Sequence, residues 1–145
     1  MTRSIAPALA ILMIAGGCKI QGPRAAVTAV EILETTSEGA TVMVTVTMEN
    51  RENIELPLPA AQYDVSIEGL GQFSFQDIPG VSLPPAGTQT LLLPAAFATK
   101  NGVEGRQYTI SGQVSYRPPG AIRTVLTDYR VPLPTADFST GGQFD

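Results

Sequence analysis

From Ala25 onward the apolar and polar positions alternate with a period of two along almost the whole chain. The plainest case is "ATVMVTVTMEN", residues 40–50, where Val42, Val44, Val46 and Met48 fall on one side and Met43, Thr45, Thr47 and Glu49 on the other. Such alternation predicts a β-strand with one face on a core and one toward water, because successive side chains of an extended chain point to opposite faces. "VTAVEILETT" predicts a strand before it. "AQYDVSIEG" repeats the device after it, opposing Tyr63, Val65 and Ile67 to Asp64, Ser66 and Glu68. Gly69 and Gly71 then predict a turn into "QFSFQD".

Further along, "GVSLPPAG" reads as a proline-rich connection and "TQTLLLPAAF" as a mixed apolar run. "RQYTISGQVSY" places Tyr108, Ile110, Val114 and Tyr116 on one face, with Gly112 expected at a bulge. "RPPG" predicts a hairpin loop, and "AIRTVLTDYRVPLP" a closing strand with Val125, Tyr129 and Val131 in register. About seven strands, turn signals roughly every 8 to 12 residues and no long helical pattern predict an all-β fold, an antiparallel β-sandwich. One short helix has a place only at "PAAFATKNG", 94–102, where a plain loop is the alternative. Residues 138–145, ending in "STGGQFD", are expected as a flexible tail.

The amino terminus breaks this pattern. "MTRSIAPALAILMIAGGC" has a charged start at Arg3, an apolar stretch from Ile5 to Ile14 and small residues Ala15, Gly16 and Gly17 before Cys18, the layout of an export signal. The apolar stretch is shorter than the roughly 20 residues needed to cross a bilayer as a helix. Ordinary signal peptidase would accept Ala15 and Gly17. The run Gly16, Gly17, Cys18 also resembles the lipobox of bacterial lipoproteins, with Ala15 where leucine is usual. That resemblance implies removal of residues 1–17, a diacylglyceryl thioether on Cys18 and commonly a third acyl chain such as palmitate on the new amino terminus. Two or three chains make a lasting anchor where one is marginal. Lys19 in place of aspartate implies delivery to the outer membrane, periplasmic face, in a Gram-negative cell. Residues 18–24 then form a lipidated tether and 25–137 the domain.

Composition narrows the chemistry. The 145 residues carry a formal charge of −4, with one cysteine, no histidine and no tryptophan. One cysteine excludes an internal disulfide, and the absence of histidine removes Ser-His-Asp and Cys-His catalysis and nearly all zinc sites. An acidic chain without a basic stripe is not expected to bind nucleic acid. Asp64 and Glu68 read as the wet side of a strand rather than a carboxylate pair, and "EGLGQF" as a turn rather than a dinucleotide loop. Glu49, Glu52 and Glu55 lack the dense spacing of a calcium loop. Tyr108, Tyr116 and Tyr129 suit the rim of a core better than a sugar platform. No catalytic, cofactor or metal site is expected, and the chain is read as a non-enzyme and a monomer.

The order "VTAVEILETTSEGATVMVTVTMENRENIELPLPAAQYDVSIEG", followed by "VSLPPAGTQTLLLP", resembles the late-embryogenesis-abundant type 2 proteins, also called the water-stress and hypersensitive-response (WHy) domain. In that family an alternating valine strand ends at an Asn-Pro-Asn turn, followed by an apolar step, a tyrosine-containing strand and a glycine turn. Here Asn50 ends the strand, Ile54, Leu56 and Leu58 make the step, and Tyr63 and Gly69 follow. "NREN" replaces Asn-Pro-Asn, so Asn50 and Asn53 must hold the turn without proline's fixed φ. The resemblance implies an antiparallel immunoglobulin/fibronectin-III-like β-sandwich and a role in desiccation or water stress through surface contacts with membranes or proteins. A structural or adhesive envelope module is the alternative, since sandwiches also make contacts through their sheet edges.

Overall fold

The computed structural model describes residues 22–118 and 132–145. Nine antiparallel strands form within them: β1 (Arg24–Thr35), β2 (Gly39–Glu49), β3 (Leu56–Leu58), β4 (Ala60–Ile67), β5 (Gly71–Asp77), β6 (Val81–Leu83), β7 (Thr88–Ala98), β8 (Gln107–Ser115) and β9 (Thr135–Gln143). They assemble as a β1-β2-β7 sheet, a β5-β4-β8-β9 sheet and a β3-β6 pair. Among the described residues there is no helix.

The alternating strand is the centre of the first sheet. Val42, Val44, Val46 and Met48 of β2 are each no more than 1% exposed, while Met43, Thr45 and Thr47 are half-buried on the other face. Tyr63, Val65 and Ile67 of β4 and Ile110 and Val114 of β8 form the opposing inner face, so the two sheets close on one apolar layer. Aromatic rings knit the side where β5 approaches β7: Phe97 of β7 lies 4.9 Å from Phe73 and 5.6 Å from Phe75, both edge-on. The Tyr63 hydroxyl donates to the Pro94 carbonyl across the same gap.

β1 departs from strict alternation and still buries one face. Ala25 and Val27 pack on the core, and so do Val30 and Ile32, three residues later in phase. Register shifts between Val27 and Ala29 and between Ile32 and Glu34 account for it. An extra residue in one strand turns the following side chains to the other face, which a period of two cannot anticipate.

Several expectations change. β7 runs without a break through "PAAFA", and pairs with β2 over eleven residues, so 94–98 is neither helix nor loop. Leu91, Leu93, Ala95 and Phe97 alternate inward along it, and Pro94 is tolerated because β7 lies at a sheet edge where a missing donor breaks no ladder. Val81–Leu83 of the connection is a short strand on β3. Gly112 sits in unbroken register between Tyr63 of β4 and Phe138 of β9 and makes no bulge. It is required for another reason: a Cβ there would fall 2.5 Å from Phe138 Cζ, 2.6 Å from the Gln62 carbonyl oxygen and 2.7 Å from Tyr63 Cβ.

Both ends of the domain are longer than expected. Residues 138–145 are not a tail: Thr135–Gln143 is the edge strand of the larger sheet, and Phe144 beyond it is 4% exposed with its ring 4.4 Å from Tyr108. Phe138 and Phe144 supply the apolar contacts that the glycines between them conceal. At the other end Arg24 opens β1 and Pro23 is buried, so 22–24 belong to the domain and not to the tether. The leader, Cys18 and residues 121–131 of the expected closing strand 121–134, Tyr129 among them, lie outside the described residues, and its last residues, 132–134, are not strand.

Candidate functional site

Asn50 and Asn53, at the turn where the sequence resembles another, lie at one end of the sandwich, here the N-terminal pole. β1 starts there, β2 and β8 end there, and β4, β7 and β9 begin there. Asn50 follows the last residue of β2 and is 2% exposed. Its side chain is fully used: Nδ2 donates to the carbonyls of Ile54 at 2.7 Å and Pro84 at 3.0 Å, and Oδ1 accepts from the Glu52 amide at 3.0 Å. An asparagine offers donors and an acceptor on one short stem, so a single residue can close its own turn and staple it to another. The second turn, 84–87, is joined further by Ala86 N–H to the Glu52 carbonyl and Asn50 N–H to that of Gly87, both 2.8 Å. Asn53, by contrast, is exposed.

Arg51, which occupies the proline position of the resembled turn, has a use of its own. Its Nε and Nη2 donate to the Gly22 carbonyl at 2.8 and 2.5 Å, across 29 residues of sequence. Gly22 rests on Tyr116, where a Cβ at position 22 would fall 2.7 Å from the hydroxyl oxygen. Gly22 is thus clamped between a guanidinium and a phenol ring. Burial pushes the Tyr116 phenol above its ordinary pKa, and the neighbouring Arg51 charge works against that rise.

The second feature is the outward face of the larger sheet. Register places side chains in cross-strand rows: Ser74, Asp64, Ser111 and Ser139 in one, Gln76, Gln62, Gln113 and Asp137 in the next, and Gln72, Ser66 and Thr109 in a third. All point away from the core, and only Asp64 and Asp137 among them are charged. Bonds within the rows include Ser74 Oγ–H to Asp64 Oδ1 at 2.6 Å and Gln113 Nε2–H to Gln62 Oε1 at 3.4 Å. The face is a shallow open trough of about 1110 Å³, bordered by Ala25 to Val27 of β1.

The other candidates do not converge. Asp64 is held by Ser74, while Glu68 lies beyond the end of β4 and its Oε2 accepts from the Gln107 amide at 3.2 Å. No group of three or more Asp, Glu, His or Cys that could hold a metal occurs among the described residues; Glu49 and Glu55 are exposed at the pole and Glu52 is half-buried. Tyr108 packs on Phe144 at one end of β8 and Tyr116 under Gly22 at the other, about 27 Å apart along a strand, so they form no common platform. The Arg51 clamp and the polar rows are absent from the sequence reading, since both depend on which residues the topology brings side by side.

No family model matches the chain, and no curated protein matches it. Among solved structures, a crystal structure of a protein from Archaeoglobus fulgidus is similar to it, with a TM-score of 0.51 and 11% identity over 88% of this chain and 98% of that one. At that identity the likeness shows the fold alone.

Proposed function

We propose that the chain is a non-enzymatic, lipid-anchored protein of the water-stress type, held through Cys18 at the bacterial envelope and protective during drying through contacts of its surface. The observation that carries this reading is the array of amide and hydroxyl side chains on the outer face of β5-β4-β8-β9. Glutamine and serine each present both donor and acceptor, so such a face can replace water's hydrogen bonds on headgroups or unfolding proteins without a fixed partner geometry. With two charges in three rows, those contacts depend little on salt, which concentrates as water leaves.

The test is survival after drying of a strain lacking the gene, complemented with the natural protein or with a Gln62→Leu/Gln113→Leu variant whose fold is verified by circular dichroism. The natural protein restores survival and the variant restores less. Unchanged survival of the deletion strain, with an envelope defect instead, overturns the reading and favours an adhesive module. That second reading draws on β5, which ends its sheet among the described residues and is followed by Ile78, 78% exposed. Crosslinking to one stoichiometric partner in intact cells would select it.

A further inference from the structure

We propose that the N-terminal pole rests on the bilayer that holds the Cys18 acyl chains, with Ile54 in the headgroup layer and the strands standing away from the surface; this rests on the lipid-anchor reading above. The length of chain outside the sandwich carries the argument. Four peptide links, through Lys19, Ile20 and Gln21, separate Cys18 from Gly22, a reach of at most about 14 Å even when fully extended. Gly22 is not a free starting point, because Arg51 and Tyr116 fix it to this pole. β2 and β7 are eleven residues each, about 36 Å at the usual rise, so the opposite pole lies well beyond the tether's reach of the surface.

What surrounds the clamp suits an interface. Ile54, at the tip of the Asn50 turn, is 50% exposed, and Pro84, Pro85 and Ala86 of the stapled turn are exposed beside it. Ala86 holds φ at 51°, a conformation glycine adopts more easily, so a methyl is kept at the tip against a local cost. β5 also runs toward this end, and Ile78 beyond it is more exposed still. Among the described residues, Arg24, Arg51 and Arg117 nearly offset Glu49, Glu52, Glu55 and Asp77 here. At the opposite pole Glu34, Glu38, Glu68, Glu104 and Asp145 outweigh Lys100 and Arg106. An anionic bilayer repels that pole more strongly than this one. The orientation leaves the polar rows turned sideways, open to the space above the membrane.

The experiment uses the full lipidated chain, in which an introduced cysteine is the one free thiol. Ile54→Cys and Glu104→Cys proteins are labelled with an environment-sensitive dye and placed in phosphatidylethanolamine/phosphatidylglycerol vesicles containing spin-labelled lipid. The label at 54 shifts to the blue and is quenched, while the label at 104 does neither. Vesicle flotation and the mass of the mature amino terminus are measured on the same samples. A lipidated protein that floats but whose two labels respond alike overturns the docking and leaves the anchor standing. An unmodified Cys18 in protein that does not float overturns both.

Discussion

Replacing Tyr63 by phenylalanine isolates one hydrogen bond that spans the sandwich. Tyr63 is 3% exposed, stacks on Phe75 with ring centres 5.4 Å apart, and donates its hydroxyl to the carbonyl of Pro94 on the other sheet. The ring's packing survives in phenylalanine, so the loss is the bond itself, a net of about 1 kcal/mol, rising to about 2 kcal/mol because the Pro94 carbonyl loses its donor. For a domain of this size that lowers the thermal midpoint by about 4–8 °C. Alkaline pH gives an independent check. Burial first, and the Asp77 charge second, push the phenol's pKa from 10.0 to about 12. The raised value means the fold prefers the neutral phenol, so its contribution is complete below pH 10 and is lost as pH rises toward 12, where the unfolded chain ionises and the folded one resists. Two pKa units correspond to roughly 2–3 kcal/mol. The natural protein therefore starts more stable than Tyr63→Phe near neutrality, and its advantage disappears across that window. Tyr116, whose pKa is also raised, is present in both proteins and cancels in the difference. Urea unfolding followed by circular dichroism at a series of pH values measures it. Equal stabilities at neutral pH, or a difference that stays constant to pH 12, would refute the reasoning.

Four further substitutions test the Asn50 turn and two positions where the structure departs from the sequence pattern. Asn50→Ala removes three side-chain bonds from a buried turn and costs about 3 kcal/mol, whereas Asn53→Ala stays within about 0.5 kcal/mol, both read from urea midpoints; equal effects would dismiss the hub. Gly112→Ala drives a methyl against the Gln62 backbone oxygen, which cannot rotate aside, and lowers stability by about 3 kcal/mol, far more than an ordinary surface glycine would. Phe144→Ala costs about 3 kcal/mol and increases hydrogen exchange along Thr135–Gln143, where a free tail would show neither.

How far the fold is legible in the sequence depends on how each strand meets its neighbours. β2, β4 and β8 each have one face on the core and one toward water, and their residues alternate accordingly. β1 carries two register shifts, so its core residues fall in two phases. β9 conceals its burial behind Gly141 and Gly142, and only Ala136, Phe138 and Phe144 mark the inner face. β7 has the alternation too, but Pro94 and the alanines suggest a break to any reading by local preference, and the pairing with β2 overrides them. At the site, Asn50 is legible because its role is local, a turn closed within four residues. The rows of the outer face are not, since Gln76, Gln62, Gln113 and Asp137 come from four strands and become neighbours only through register.

Arg51 shows why a departure from a resembled turn need not weaken it. Proline at that position would stiffen the backbone by fixing φ, at the cost of a side chain that can reach anything. Here stiffness comes from Asn50, whose amide closes 50–54 on itself and ties it to the carbonyl of Pro84. With the shape held from the buried side, position 51 is released for a long side chain, and its guanidinium makes two bonds to one carbonyl at the point where the chain enters the sandwich. A guanidinium fork suits that task, because its donors lie in one plane and lose little freedom when both engage. Asn50 and Arg51 therefore divide the work of the turn. One keeps its form, and the other couples that form to Gly22, so that whatever pulls on the preceding residues is felt at the tip carrying Ile54.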